Sequence, residues 1–146
     1  MSEQKINFKI VTPERTLFES KVDQATLPVS DGQVTIMPDH RSYIAALKAG
    51  EVMLKTDGKE TLLVVSSGFI EFNDNKLVVL ADTAEAAAEI DIARAEEARK
   101  RAEELKNEKV AMNEMEYAKV AAAIEKEMAR VRVAKKHHSR GGIKID

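Results

Sequence analysis

The chain has 146 residues, 44% of them apolar but only 4% aromatic and none tryptophan. This suits an aliphatic core in one ordinary domain, or a small domain with an appendage, and not a large aromatic-lined cavity. One residue in three is charged, yet the formal net charge is −2, which argues against a general nucleic-acid binder with its basic excess. The absence of cysteine removes disulfides, thiolate chemistry and cysteine-ligated zinc or iron–sulfur centres. Residues 1–7 lack the basic-then-apolar pattern of a secretory leader, and no apolar run approaches the roughly 20 residues of a membrane span. The expectation is a cytoplasmic protein with no direct membrane insertion, reaching a membrane only through partners.

In chain order, β-branched runs at 6–11, 22–29, 34–37, 52–55, 61–66, 69–72 and 76–81 read as strands. Turn residues separate them: Ser30-Asp31-Gly32, Ala49-Gly50, Asp57-Gly58, Ser66-Ser67-Gly68 and Asn73-Asp74-Asn75. Asp57-Gly58 between two strands is the clearest hairpin. Short strands with turns every 8–12 residues predict a mostly β sandwich or flattened barrel over 1–83.

The character then changes. Residues 84–134 contain no glycine or proline and are dominated by Ala, Glu, Lys, Arg and Met, which are helix formers. Ala95, Ala98, Ala102 and Leu105 form one apolar stripe, and Tyr117, Val120, Ile124, Met128 and Val131 a second. Asp91 is placed to cap the first helix, and Asn113, with Glu116 three residues on, to cap the second. A connection over 107–113 makes 84–136 an antiparallel helical hairpin, so the fold class is α+β in two domains. Residues 137–146, with Gly141-Gly142, are expected to be a disordered tail. The alanine-rich face of the first helix buries little area, so the hairpin should hold weakly, as a conformational switch requires; a fixed structural hairpin is the plainer reading.

Local sequences sharpen this outline. Val11-Thr12-Pro13 with Leu17-Phe18-Glu19, the run from Asp31 to His40, Ser67-Gly68-Phe69-Ile70-Glu71, Val78 to Ala84, and Ile90-Asp91-Ile92-Ala93-Arg94-Ala95 follow one another in an order that resembles F-type ATP synthase epsilon subunits over residues 6–135. Thr35, Asp39 and Ser67 stand where that family commonly has glycine. Each removes freedom for positive φ, which predicts loops of different shape.

The resemblance implies a non-catalytic rotor subunit of a proton-translocating F-type ATP synthase, at the cytoplasmic face of the plasma membrane or an equivalent energy-transducing membrane. Its partners would be the gamma subunit, the c-ring and the alpha and beta subunits. It implies that the β domain transmits torque and that the hairpin restrains ATP hydrolysis when extended. Ser30, Asp31, Gly32 and Gln33, with Asp39, His40 and Arg41, match the region facing gamma and the c-ring. Lys126, Arg130, Arg132, Lys135 and Lys136, in a stretch with seven basic residues against two glutamates over 117–140, would meet the catalytic beta subunits.

The resemblance requires no cofactor. Some family members bind regulatory ATP without hydrolysing it, and the matching positions here are Glu85, Ile90, Asp91, Arg94, Ala95, Arg101 and Arg130. The physics is consistent, because a helix N-terminus offers free amides and arginine adds fixed charge. Lys126 replaces a family arginine and loses its bidentate fork. The plainer reading makes Asp91 an ordinary cap and Arg94 its neighbour. No phosphate loop of the form GxxxxGK followed by Ser or Thr exists, and no catalytic triad or metal spacing stands out, so an enzyme acting alone is not expected. His40 reads as a packing or interface residue. A free-standing ATP-sensing module is the alternative function.

Overall fold

The computed structural model describes residues 4–108 and 113–145. The chain divides into two compact units, Met1–Ala86 and Ala87–Asp146.

The first unit is ten strands: β1 (Ile6–Val11), β2 (Thr16–Val22), β3 (Gln24–Val29), β4 (Gly32–Ile36), β5 (Tyr43–Leu47), β6 (Gly50–Thr56), β7 (Lys59–Val65), β8 (Gly68–Asn73), β9 (Lys76–Ala81) and β10 (Ala84–Ala86). Hydrogen bonding links them in the order β10-β7-β6-β3-β5-β8-β9-β1-β2, with β4 on β3. Neighbours are antiparallel except β1 and β9, which run parallel. The ladder folds over on itself, and alternate side chains fill one core: Ile6, Phe8 and Ile10 from β1, Leu27 from β3, Leu54 from β6, Ile70 and Phe72 from β8, Leu77 and Val79 from β9. Val52, Leu63 and Val65 complete it from the other half.

Two turns close as tight hairpins with positive φ at both central residues: Asp57 (52°) with Gly58 (79°), and Asp74 (51°) with Asn75 (57°). Three strands were not expected from the sequence. β2 sets the polar run Glu19-Ser20-Lys21 between its apolar residues, β5 is alanine-rich, and β10 lies in residues read as the start of the helical part. Pairing of Ala84, Glu85 and Ala86 with Val65, Val64 and Leu63 overrides their helical propensity. The boundary therefore moves from 83/84 to 86/87.

The second unit opens with a one-turn 3₁₀ segment, Ala87–Glu89, followed by α1 (Ile92–Glu108) and α2 (Glu114–Ile145). Asp91 Oδ1 accepts from Arg94 N at 3.2 Å, and Asn113 Oδ1 from Glu116 N at 2.8 Å, so both predicted caps are present. The helices are antiparallel. Glu96, early in α1, pairs with Lys135, late in α2, at 3.0 Å. Lys106, late in α1, lies 5.4 Å from the ring centroid of Tyr117, early in α2.

Of the first predicted stripe, Ala95 is buried and Leu105 is 48% exposed. In α2 the buried residues are Ala129, Val131, Val133 and Ala134, while Tyr117 and Met128 are about half exposed. The expected disordered tail is instead a continuation of α2 through Gly141 and Gly142 to Ile145. Each glycine weakens a helix by about 1 kcal/mol, but no proline follows to stop it. The connection expected over 107–113 lies, but for its ends, outside the described residues.

Candidate functional site

The outward face of the β5-β8-β9-β1-β2 half is set by strand register. One row runs Ala46, Phe69, Leu80, Val11 and Thr16 across five strands. The row beside it runs Ile44, Glu71, Val78, Lys9 and Glu19. Ile44 is 74% exposed, Phe69 61% and Leu80 50%, an apolar surface that water would not leave uncovered without reason. A notch of about 310 Å³ between Val11, Pro13, Phe69 and Leu80 gives it relief. Sequence reasoning missed this face. The available signal was the unbroken apolar run Leu77-Val78-Val79-Leu80, too apolar for a strand with one wet side.

The predicted partner loops fall at opposite ends of β4. Ser30 and Asp31 make the β3–β4 turn, with Gly32 at φ 128° and Gln33 opposite Pro28. Asp39, His40 and Arg41 lie beyond the far end, roughly 16 Å of strand away. They are therefore two tips and not one surface.

At the second tip a residue standing where the family commonly has glycine still takes a left-handed backbone. Asp39 takes φ 66° itself, its N–H donating to Asn75 Oδ1 at 2.7 Å while Asn75 Nδ2 donates back to Asp39 Oδ1 at 3.3 Å. Short Asx side chains tolerate this region when local bonds hold them. Thr35 is an ordinary strand residue, its hydroxyl 3.0 Å from that of Thr26. Ser67 donates to Asp82 Oδ2 at 3.2 Å. The His40 ring meets Tyr43 and Phe72 edge-on at 6.0 and 5.8 Å, and its Nδ1 donates to Arg41 O at 2.8 Å, so it braces the loop.

The proposed nucleotide positions are only partly brought together. Asp91 caps α1; Arg94 and Arg101 are exposed, seven residues apart and so on one helix face about 10 Å from each other. Ile90 and Ala95 are buried. Arg130, on α2, is ion-paired to Glu127 at 2.6 Å. Glu85 belongs to β10, in the other unit. Among the cations assigned to the catalytic subunits, Lys135 is engaged with Glu96 and Arg130 with Glu127. Arg132 is exposed, and Lys126 and Lys136 are half-buried. The hydrogen bond and charge of Lys135 hold the Glu96 carboxyl below the ordinary glutamate range. Among the described residues no group of three or more acidic or histidine side chains is arranged to hold a metal, and no helix is long and apolar enough to cross a membrane.

A sandwich with one uncovered apolar face, followed by an arm of two helices folded together, defines an assembly subunit built to be joined by others. The chain belongs to the ATP synthase delta/epsilon chain family: residues 5–87 match its beta-sandwich domain and 88–135 its long alpha-helix domain. As a member it is an accessory subunit of ATP synthase, not itself catalytic.

The ATP synthase epsilon chain of Dehalococcoides mccartyi is 44% identical over 132 residues, 90% of this chain and 94% of that one. The epsilon chain of Chloroflexus aggregans is 42% identical with the same coverage, and that of Desulforamulus reducens 38% over 86% and 93%. Among solved structures, a chain of Euglena gracilis mitochondrial ATP synthase superposes with a TM-score of 0.72 at 19% identity, over 86% of this chain and 78% of that one. A chain from the central stalk and c-ring of the Tetrahymena thermophila enzyme gives 0.58 at 13%, over 94% and 98%. These two establish a shared fold.

Proposed function

We propose that this chain is the central-stalk epsilon subunit of a proton-translocating F-type ATP synthase, coupling rotation through its sandwich and restraining ATP hydrolysis through its arm. The gamma subunit docks on the apolar face of Ile44, Phe69 and Leu80, the Ser30-Asp31 tip reaches the c-ring, and the arm when extended meets the alpha and beta subunits. The complex works at the cytoplasmic face of the plasma membrane or an equivalent energy-transducing membrane. Regulatory ATP, held by the exposed Arg94 and Arg101 beside the Asp91-capped helix start, favours the folded-back arm. Family membership supports this reading over a free-standing ATP-sensing module.

The observation that carries the regulatory half is how the arm closes. Its ends meet through an exposed ion pair, Glu96 with Lys135, and a cation over a ring, Lys106 with Tyr117, while Leu105, Met115, Tyr117 and Met128 are left in solvent. A contact this light is reversible.

The test exploits the lack of native cysteine. Glu96→Cys and Lys135→Cys are bridged by a short bis-maleimide in the full chain, which is assembled into the complex. Hydrolysis should rise in the bridged complex relative to the unbridged one, because a closed arm cannot extend. Equal hydrolysis in both would remove the inhibitory role.

A further inference from the structure

On the same outward sheet face, beside the apolar row, β9, β1 and β2 present three lysines. Asn7 on β1 lies between Lys76 on β9 and Lys21 on β2 in register, and Lys9 follows two residues along β1. Lys21 and Lys76 therefore stand roughly 10 Å apart, with Lys9 about 7 Å from the line joining them. A groove of about 380 Å³ runs between them, lined also by Glu19 and Val78.

None of the three lysines is ion-paired among the described residues. With Glu19 the groove carries a net +2, on a chain whose formal total is −2. Lys9 faces Glu19 directly across the β1–β2 ladder, which offsets one of the charges, but Lys21 and Lys76 both stand opposite Asn7 and gain no cross-strand carboxylate from it. Lysine on an edge strand discourages edge-to-edge pairing, but only Lys21 is on the edge strand β2; Lys9 and Lys76 lie on strands paired on both sides. Protection of the edge thus accounts for one of the three.

The groove is continuous with the apolar face: Val78 lines it, and Leu80, two residues further along β9, belongs to the exposed row.

We infer that Lys9, Lys21 and Lys76 form a cationic strip that receives an acidic segment of the subunit docked on the apolar face, steering its approach and fixing its register. This rests on the docking reading above and adds the chemistry of the partner: an apolar patch bordered by carboxylates. Exposed charges at the rim of an interface act on the rate of encounter and its salt dependence more than on dissociation, whereas buried apolar anchors act on dissociation.

The experiment measures association and dissociation of the labelled full chain with the synthase complex stripped of this subunit, across a range of salt concentrations. The chain is wild type, a Lys9→Gln/Lys21→Gln/Lys76→Gln triple variant, or Phe69→Ser. The triple variant should associate about tenfold more slowly at low salt and show a flattened salt dependence, with dissociation within about twofold of wild type. Phe69→Ser should instead dissociate faster at every salt concentration. A triple variant that associates like wild type at low salt, while Phe69→Ser dissociates faster, overturns the strip and leaves the docking face standing. Unchanged dissociation of Phe69→Ser defeats the docking face itself. Inorganic phosphate that shifts the NMR signals of the three lysines in the free chain, with association of the triple variant unchanged, also overturns the inference by making the groove a small-anion site.

Discussion

Replacing Gly68 by alanine strikes the point where β8 and β9 begin their ladder. Gly68 lies opposite Ala81 on β9 and Leu47 on β5. A Cβ built there would fall 1.8 Å from the Leu80 carbonyl oxygen, 2.8 Å from its carbon and 2.9 Å from Ala81 Cα. Carbon and carbonyl oxygen approach no closer than about 3.3 Å, so the strands must separate by roughly 1.5 Å. Every obstacle is backbone, and no rotamer change relieves it. That separation pulls neighbouring bonds, such as Asp82 N to Ser67 O at 3.0 Å, out of hydrogen-bonding range. Two lost bonds at about 1 kcal/mol each, with an overpacking penalty of about 1–3 kcal/mol, give a destabilisation of about 3–5 kcal/mol. For a sandwich of this size that lowers Tm by at least about 12 °C. Far-UV circular dichroism during heating and urea titration reads it directly. Gly58→Ala is the control: nothing lies within 4 Å of a Cβ there, and only its φ of 79° resists, for about 1 kcal/mol. A Gly68→Ala protein that melts within about 2 °C of wild type, or above Gly58→Ala, would refute the steric reasoning.

Other substitutions probe the far end of the sandwich. Asp39→Ala should cost about 1–2 kcal/mol in urea unfolding, through the lost Asn75 bond and the poorer left-handed backbone, while Asp39→Asn should cost less than half as much; equal stability of Asp39→Ala and wild type would mean the loop does not need its side chain. Lys5 bridges Asp23 at 3.1 Å and Asp57 at 2.9 Å, and Asp57 N donates to Asp23 Oδ2 at 2.7 Å. Hydrogen bonds to Asp57 and then Asp23 raise the Lys5 ammonium above the ordinary lysine value. The Asp57 amide first, then Lys5, lowers the Asp23 carboxyl below its ordinary value. A depressed carboxyl contributes stability above its unfolded value of 3.8 that is lost as pH falls through the folded one; a raised ammonium contributes below 10.5 and loses it as pH rises beyond. Lys5→Met should therefore lower Tm at neutral pH and leave it unchanged at strongly acidic pH, and a constant difference across that range would count against the cluster.

The strands that carry the core were legible because their chemistry is local. Ile6-Asn7-Phe8-Lys9-Ile10 alternates cleanly, and Asp57-Gly58 announces its own hairpin. Both helix caps were legible for the same reason, since Asp91 and Asn113 act on amides three residues away. The misses are non-local. Nothing in Ala84-Glu85-Ala86 says that the open edge of β7 will capture it, and nothing in Lys21 and Lys76 says that Asn7 will lie between them. The loops at 30–33 and 39–41 are close in sequence, yet β4 carries the chain between them from one end of the sandwich to the other. Asp39 reaches positive φ without being glycine, because an aspartate held by Asn75 is a second way to occupy that region.

The two units are held together by different means. The sandwich buries Phe8, Phe72 and a continuous set of aliphatic side chains, and each such aromatic removes about 150–250 Å² from water. At roughly 25 cal/mol per Å², any one of them anchors the sandwich by several kcal/mol. In α1, Ala95 is the fully buried position of its stripe, and an alanine side chain gives only a fraction of that area. Beside the small buried side chains Ala129, Val131, Val133 and Ala134 of α2, the arm adds charged contacts between its helices: Glu96 with Lys135 and Lys106 against Tyr117. Contacts of this kind are made or exchanged for water or for another subunit's charges at small net free energy. The apolar side chains left exposed on the arm are available to a second surface. The sandwich core draws on no residue of the arm, so separating the two helices leaves it intact.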